Sequence, residues 1–106
     1  MVEFWSKQNR KLKLDLESNG ISFHYVTAQG VYHVGRSWAS IHALLMKLNT
    51  CRKYAASDHS LSVWMQDQEL CLRFRAREWR QEEECKFAPG ETAQIIDFLA
   101  RAPNFN

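Results

Sequence analysis

Residues 12–34 read LKLDLESNGISFHYVTAQGVYHV, and this stretch decides the fold of the chain. Apolar and charged residues alternate over positions 12–17, which is the period-2 pattern of a strand that buries one face. The dipeptides Asn-Gly at 19–20 and Gln-Gly at 29–30 divide the stretch into three segments. Asn-Gly favours the type I′ turn of a two-residue hairpin loop, because both residues accept positive φ. The stretch therefore predicts a three-stranded antiparallel meander.

Two-residue loops at these dipeptides would fix the pairing of the three strands, because register follows from the position of the turn. Leu16 then lies opposite Phe23, Leu14 lies opposite Tyr25, and Tyr25 lies opposite Val34 on the third strand. Alternate side chains of a strand point to the same face. All of these side chains therefore share one apolar face, which another layer of structure must cover.

The second half of the chain repeats the pattern. Alternation of apolar and polar residues returns over 61–66 and 70–76. A tight turn at 67–68 would join the two segments and set Met65 opposite Leu70. The apolar sets of the two strands then agree, as they do in the first meander, so the segments predict a second hairpin.

The third strand of this half follows a predicted turn at 80–81. In that register Phe74 lies opposite Phe87 on the apolar face, and Arg77 lies opposite Glu84 on the polar face. The chain thus contains a second meander whose apolar face also needs a cover.

Each meander is followed by a segment with helical periodicity. Ser37, a residue type favoured at helix N-caps, precedes the first of these segments. Apolar residues at spacings of three and four then predict an amphipathic helix. The first stripe consists of Trp38, Ile41, Leu44, Leu45 and Leu48. The second stripe consists of Thr92, Ile95, Ile96 and Leu99, and Pro103 ends that helix.

The predicted fold class is therefore α+β, with two βββα units at about 11–53 and 61–102 inside a single domain, 1–106. The antiparallel meanders would form one sheet or two, with both helices packed on one face and the opposite face open. This repeated order resembles, in topology, the Whirly-type single-stranded DNA-binding proteins. Their repeats contain one more strand each, and the likeness carries no signature residue. It implies nucleic-acid binding as an expectation.

Composition is that of an ordinary globular domain, since 45% of the 106 residues are hydrophobic and 25% are charged. The net charge of +2 is too small to indicate a polyanionic partner. Residues 1–53 nevertheless carry eight Lys and Arg against three Asp and Glu, whereas residues 54–106 carry six against nine. The halves therefore differ in sign, an asymmetry that would suit self-association or a charged partner.

The three cysteines, Cys51, Cys71 and Cys85, form no Cys-x-x-Cys pair. An odd number without close spacing argues against a disulfide framework and against a structural zinc site. No apolar run approaches the roughly 20 residues that span a bilayer, and the first residues lack a signal-peptide core. We therefore expect a cytoplasmic protein with no membrane partner and no cofactor.

The polar face of the second meander is the principal candidate binding surface. Its candidate residues are Trp64, Arg73, Arg75, Arg77, Trp79 and Lys86. Arginines at every second position of a strand lie about 7 Å apart, which is comparable with the spacing of phosphates, and tryptophans stack on bases. Alternatively, the arginines pair with nearby glutamates at 78 and 82–84, and the tryptophans contact a protein partner.

The polar face of the first meander carries a carboxylate near two imidazoles. In the predicted register Asp15 lies opposite His24, and His33 is a diagonal neighbour of His24. Such a set can hold a metal ion or support acid–base chemistry. The spacing is not a metal-ligand signature, so we favour a solvated face with two ordinary histidines and keep the three residues as secondary metal candidates.

These observations predict a small non-enzymatic interaction protein of the adaptor, inhibitor or immunity type. It would bind a protein partner, or itself as a homodimer, through an open sheet face or a sheet edge. The alternative is a protein that binds single-stranded nucleic acid through the face that carries arginine and tryptophan. The sequence shows no arrangement of nucleophile and base that would support an enzyme.

Overall fold

The computed structural model describes residues 1–48, 54–55, 60–76 and 81–101. Within these ranges the chain forms four strands and a helix, and then repeats that order. The first repeat consists of β1 (Val2–Trp5), β2 (Lys11–Glu17), β3 (Gly20–Thr27), β4 (Gly30–Ser37) and α1 (Trp38–Leu48). The second consists of β5 (Tyr54–Ala55), β6 (Leu61–Gln66), β7 (Glu69–Ala76), β8 (Gln81–Phe87) and α2 (Pro89–Ala100).

The predicted α+β class, with two antiparallel meanders and two helices, is confirmed. The first sheet has the strand order β1-β2-β3-β4, and the second sheet has the order β5-β6-β7-β8. Each sheet begins with a short strand that precedes the three predicted ones. Each repeat therefore has four strands, one more than the predicted βββα unit. The predicted end of the second helix at Pro103 lies outside the described residues.

The predicted register of the first sheet is wrong by two residues in each hairpin. Leu14 lies opposite Phe23, and Leu16 lies opposite Ile21. Tyr25 likewise lies opposite Tyr32. A shift of two residues leaves every side chain on its predicted face, because side chains alternate with a period of two. The division of the sheet into an apolar and a polar face is therefore as the alternation predicts.

Turn geometry explains why one hairpin was predicted correctly and the others were not. In the β6–β7 hairpin, Asp67 and Gln68 have φ angles of 52° and 65°, as a type I′ turn requires, and Met65 lies opposite Leu70 as predicted. The loop between β2 and β3 instead comprises residues 18–19, neither of which has positive φ. The Asn-Gly dipeptide therefore does not form the type I′ turn that its composition favours.

The register between β7 and β8 also differs from the prediction. Phe87 lies opposite Leu70, and Glu84 lies opposite Arg73. Arg77, the predicted partner of Glu84, lies outside the described residues. The reason is that the strands turn earlier in the chain than the predicted 80–81, since Ala76 already pairs with Gln81. Glu84 consequently lies opposite Arg73, which is further from the turn than its predicted partner.

The two sheets share one hydrophobic core, formed by their apolar faces and the buried sides of both helices. The rings of Tyr25 in β3 and Phe74 in β7 stack across the core, with centroids 5.3 Å apart and planes 4° from parallel. Helix α1 contacts β3, β4 and β6, and α2 contacts β1, β7 and β8. The buried helix residues are Trp38, Ile41, Leu44, Leu48, Thr92, Ile95 and Leu99. This packing leaves the outer faces of the sheets as the surfaces available to a partner.

Candidate binding surfaces

The outer face of the second sheet carries four of the six residues predicted as the binding site. Trp64 in β6 and Lys86 in β8 flank Cys71 of β7, because these three residues pair across the sheet. Arg73 and Arg75 follow on β7. The remaining two, Arg77 and Trp79, lie outside the described residues.

The two arginines of this face are paired with glutamates of the neighbouring strand. Arg75 donates hydrogen bonds from Nε and a terminal nitrogen to Glu82, which lies directly opposite. The guanidinium of Arg73 lies 3.8 Å from Glu82 and 3.5 Å from Glu84. Opposite charges thus face each other across β7 and β8, and they stabilise that pair of strands. The row of arginines is consequently neutralised by acidic side chains that any polyanion would have to displace.

Trp64 is also engaged within the second sheet. The Cζ atom of Arg73 lies 5.7 Å from the centroid of its ring, in a cation–π contact. Next to it, Cys71 is fully buried although its side chain belongs to the outer face. Burial raises the pKa of the Cys71 thiol. Trp64 and Arg73 are therefore engaged with each other on this face, beside a buried thiol whose protonated form is favoured.

Some of the excess positive charge of the first half forms ion pairs with carboxylates of the second half. Lys7, in the β1–β2 connection, lies 2.8 Å from Glu69 of β7. Arg10 of the same connection pairs with Glu83 of β8. Positive groups of the first half thus meet negative groups of the second half inside the molecule, so the asymmetry does not by itself require a charged partner.

The outer face of the first sheet carries exposed apolar side chains on both of its edge strands, which the sequence pattern did not predict. Trp5 of β1 is 52% exposed, and Val31 of β4 is 48% exposed. A pocket of about 330 Å³ lies on this face. The Nζ atom of Lys11 lies 5.2 Å from the centroid of the Trp5 ring. The pocket is lined by Trp5, Asn9, Arg10, Lys11, Lys13, Val26 and Thr27.

The sequence pattern that could have predicted an exposed Trp5 covers only four residues. Residues 2–5 read VEFW, so Val2 and Phe4 share one face while Glu3 and Trp5 share the other. Phe4 is buried and Trp5 is exposed, as this alternation requires. Four residues with two adjacent aromatic rings do not establish a period, however, so the strand was not predicted.

The secondary metal candidates are only partly brought together. His24 and His33 lie directly opposite each other, and their rings stack with centroids 4.5 Å apart. Asp15 lies opposite Ser22, whereas the prediction set it opposite His24. The register shift in the first sheet causes this difference. Among the described residues, no group of three His, Cys, Asp or Glu side chains is placed to hold a metal ion.

The stacked histidines predict a loss of stability at acid pH. Burial, and then the nearby His33, lower the pKa of His24 below its ordinary value of 6.5, although Asp15 and Glu17 oppose the shift. The unfolded chain therefore takes up this proton at higher pH than the folded chain. The free energy of unfolding should fall as the pH drops through 6.5 toward the lower pKa of the folded state.

Urea unfolding on either side of pH 6.5 measures this effect. His24→Gln should flatten the pH dependence. An unchanged pH dependence in His24→Gln would contradict the assignment.

The two thiols in the described residues are buried in the fold and are not placed as nucleophiles. Cys71 and Cys85 are both free and buried. Burial raises the pKa of Cys85 to about 12, so its nucleophilic thiolate form is scarce at neutral pH. The hydroxyl of Tyr25 lies 3.1 Å from the Ser6 hydroxyl, and burial raises the pKa of Tyr25 to about 12. The third cysteine, Cys51, lies outside the described residues.

Comparison of the chain with models of protein families, with curated proteins and with solved structures finds no match. Neither α1 nor α2 is long and apolar enough to cross a membrane, and the search for such helices covers the part of the chain that the structure describes. The functional argument therefore depends on the surfaces of the two sheets.

Proposed function

We propose that this chain is a non-enzymatic interaction protein that binds a protein partner, or a second copy of itself, through the outer face and edge of the first sheet. One observation carries the proposal, namely the exposure of Trp5 and Val31 at the two ends of that sheet. Tryptophan is enriched among the residues that dominate protein interfaces. An adaptor, inhibitor or immunity role in the cytoplasm fits such a surface.

The charges of this face favour a protein over a polyanion. Glu3 lies opposite Lys13 on the neighbouring strand, and its carboxylate is 3.3 Å from the ammonium of Lys11. Asp15 adds a further negative charge on the same face. Mixed signs around exposed aromatic and apolar side chains are typical of the rim and core of a protein interface. The buried, free thiols of Cys71 and Cys85 are compatible with a reducing cytoplasm.

Trp5→Ala is expected to abolish capture of the partner while leaving the fold intact, because Trp5 is half exposed and its loss leaves no cavity in the core. Immobilised wild-type and variant proteins would be compared in an extract of the cells that produce the chain. Met46→Ala is the matched control, because Met46 is 72% exposed but lies on α1. Retention of the same proteins by Trp5→Ala as by the wild type would refute the proposed surface.

Single-stranded nucleic acid is the second candidate ligand, through the outer face of the second sheet. Its support is the guanidinium of Arg73 over the ring of Trp64, together with the four-stranded repeats. Tryptophan fluorescence should then be quenched by a mixed oligonucleotide at low salt, and the quenching should weaken steeply as salt is raised. Arg75→Glu should abolish it, whereas Arg101→Glu, at the end of α2, should not. Equal binding by Arg75→Glu and wild type would eliminate this candidate.

A further inference from the structure

The backbone of β4 has an unpaired side. The Trp38 N–H donates to the Asn19 carbonyl over 3.2 Å, which extends the β3–β4 ladder by one hydrogen-bonded pair. Hydrogen-bonded and non-hydrogen-bonded pairs alternate in an antiparallel ladder. The even-numbered residues of β4 therefore bond to β3. The backbone groups of Val31, His33 and Gly35 point away from the sheet.

Backbone groups on the outer edges of β8 and β1 bond to other parts of the chain. At β8, the Lys86 carbonyl accepts from the Lys7 N–H at 2.7 Å, and the Lys86 N–H donates to the Gln8 side chain at 3.0 Å. At β1, the outward N–H of Trp5 donates to the Glu91 carboxylate at 3.4 Å. Natural proteins protect sheet edges in this way, because an open edge is a template for another strand.

The β4 edge has one such contact from the described residues. The guanidinium of Arg36 donates to the Gly35 carbonyl at 2.8 Å, and its other terminal nitrogen donates to the Ser60 hydroxyl at 2.7 Å. This arrangement covers the end of the strand near α1. The outward backbone groups of Val31 and His33 receive no hydrogen bond from any residue that the structure describes.

The open part of the edge also lacks the side chains that discourage pairing. Positions 31–34 read VYHV, with neither Lys nor Pro. β-Branched and aromatic residues favour strand pairing. Tyr32 and Val34 point into the core, while Val31 and His33 are exposed. The edge at 31–34 is therefore well suited to pair with a further strand.

We propose that two copies of this chain pair antiparallel through β4, around a two-fold axis at Tyr32, and form one continuous eight-stranded sheet. This inference rests on the proposed function and names the second copy as the partner. In this register Val31 of each copy lies opposite His33 of the other. The N–H and carbonyl of one residue then bond the carbonyl and N–H of the other, so the four outward groups of each copy are all satisfied.

Self-complementarity favours a second copy over another protein. Val31 and His33, the β4 residues whose outward groups receive no hydrogen bond from the described residues, are each other's partners across a two-fold axis, which uses the same patch on both copies. No pair of like charges faces across the axis, because Val31 of one copy lies opposite His33 of the other. The pairing uses the β4 edge of both copies, so a two-fold dimer leaves no β4 edge free for a third copy.

Sedimentation equilibrium of the full chain at neutral pH tests the pairing. The mass should rise from 12.5 kDa to twice that value as the concentration is increased. Val31→Pro should remain monomeric, because proline removes an outward N–H that makes no bond within the sheet. Val31→Thr is the matched control, since it keeps the N–H and the β-branched shape, and it should dimerise. A wild type that stays monomeric at all concentrations would overturn the inference.

If Val31→Pro does not fold, amide hydrogen exchange of the wild type tests the β4 interface instead. The amides of Val31 and His33 should exchange more slowly as the concentration rises, while the Tyr32 amide, which bonds to β3, should not change. A dimer in which the Val31 and His33 amides exchange at the monomer rate would overturn the β4 interface. Failure here with Trp5-dependent capture intact would leave the proposed function standing with a different partner.

Discussion

Phe74→Ala should lower the free energy of unfolding by about 3–5 kcal/mol, the usual cost of removing a buried phenylalanine. Phe74 is fully buried, and its ring stacks on Tyr25 of the other sheet and lies 6.1 Å from the ring of Tyr32. The truncation would therefore leave a cavity between the two sheets. Domains of this size have about 5–15 kcal/mol of stability, so the variant should lose a large fraction of it.

Urea denaturation followed by circular dichroism would measure the change for Phe74→Ala. Phe98→Ala is the control, because Phe98 on α2 is only half-buried at the border of the core, and it should cost clearly less. A loss of stability for Phe74→Ala no greater than that for Phe98→Ala would mean that the two sheets do not share one core.

Gly20→Ala should be the most damaging small substitution, with a loss of about 3 kcal/mol, at the upper end of the cost of overpacking. A Cβ atom on Gly20 would lie 1.8 Å from the Arg36 carbonyl oxygen and 2.9 Å from the Ser37 Cα. These neighbours are backbone atoms of β4, so the contact can be relieved only by moving the strand.

Thermal unfolding of Gly20→Ala against Gly90→Ala checks this expectation. A Cβ atom on Gly90 meets nothing within 4 Å, and alanine favours a helix over glycine, so the control should be neutral or slightly stabilised. Equal unfolding temperatures for Gly20→Ala and the wild type would show that β3 and β4 do not approach as closely as described.

Local alternation was sufficient to predict the three longer strands of each sheet and both helices. Leu12 and Leu14 point into the core while Lys13 points outward, as a period of two requires. The helical stripe beginning at Trp38 is buried where spacings of three and four place it. Leu16 is the exception, because it shares the inward phase of β2 but lies 56% exposed near the end of that strand. Alternation identifies the face of a side chain but not whether the core extends that far.

Register was harder to predict because it depends on what each glycine does. Gly20 was assigned to a turn that needs positive φ, yet it is the first residue of β3 and is required by the close approach of Arg36. Nothing local distinguishes these two uses of glycine. The chain that crosses Gly20 is 16 residues away in the sequence, so the contact is visible only in the folded structure.

Prediction of the binding surface from the sequence was limited for the same reason. Arg73 and Arg75 were correctly assigned to one face, but their glutamate partners depend on the register of β8, which the sequence did not determine. Trp5 was missed because its strand is only four residues long. The residues that carry the proposed function therefore lie where the periodic signal is weakest.

Hydroxyl-radical footprinting of the intact chain is the most direct test that the outer face of the first sheet binds a partner. The oxidation rates of Trp5 and Met46 would be compared in an extract of the producing cells and in buffer that contains the same mass of an inert protein. Both side chains are at least half exposed, so each is a sensitive probe. The account predicts that the extract lowers the Trp5 rate several-fold relative to the Met46 rate. An unchanged ratio of the two rates would contradict it.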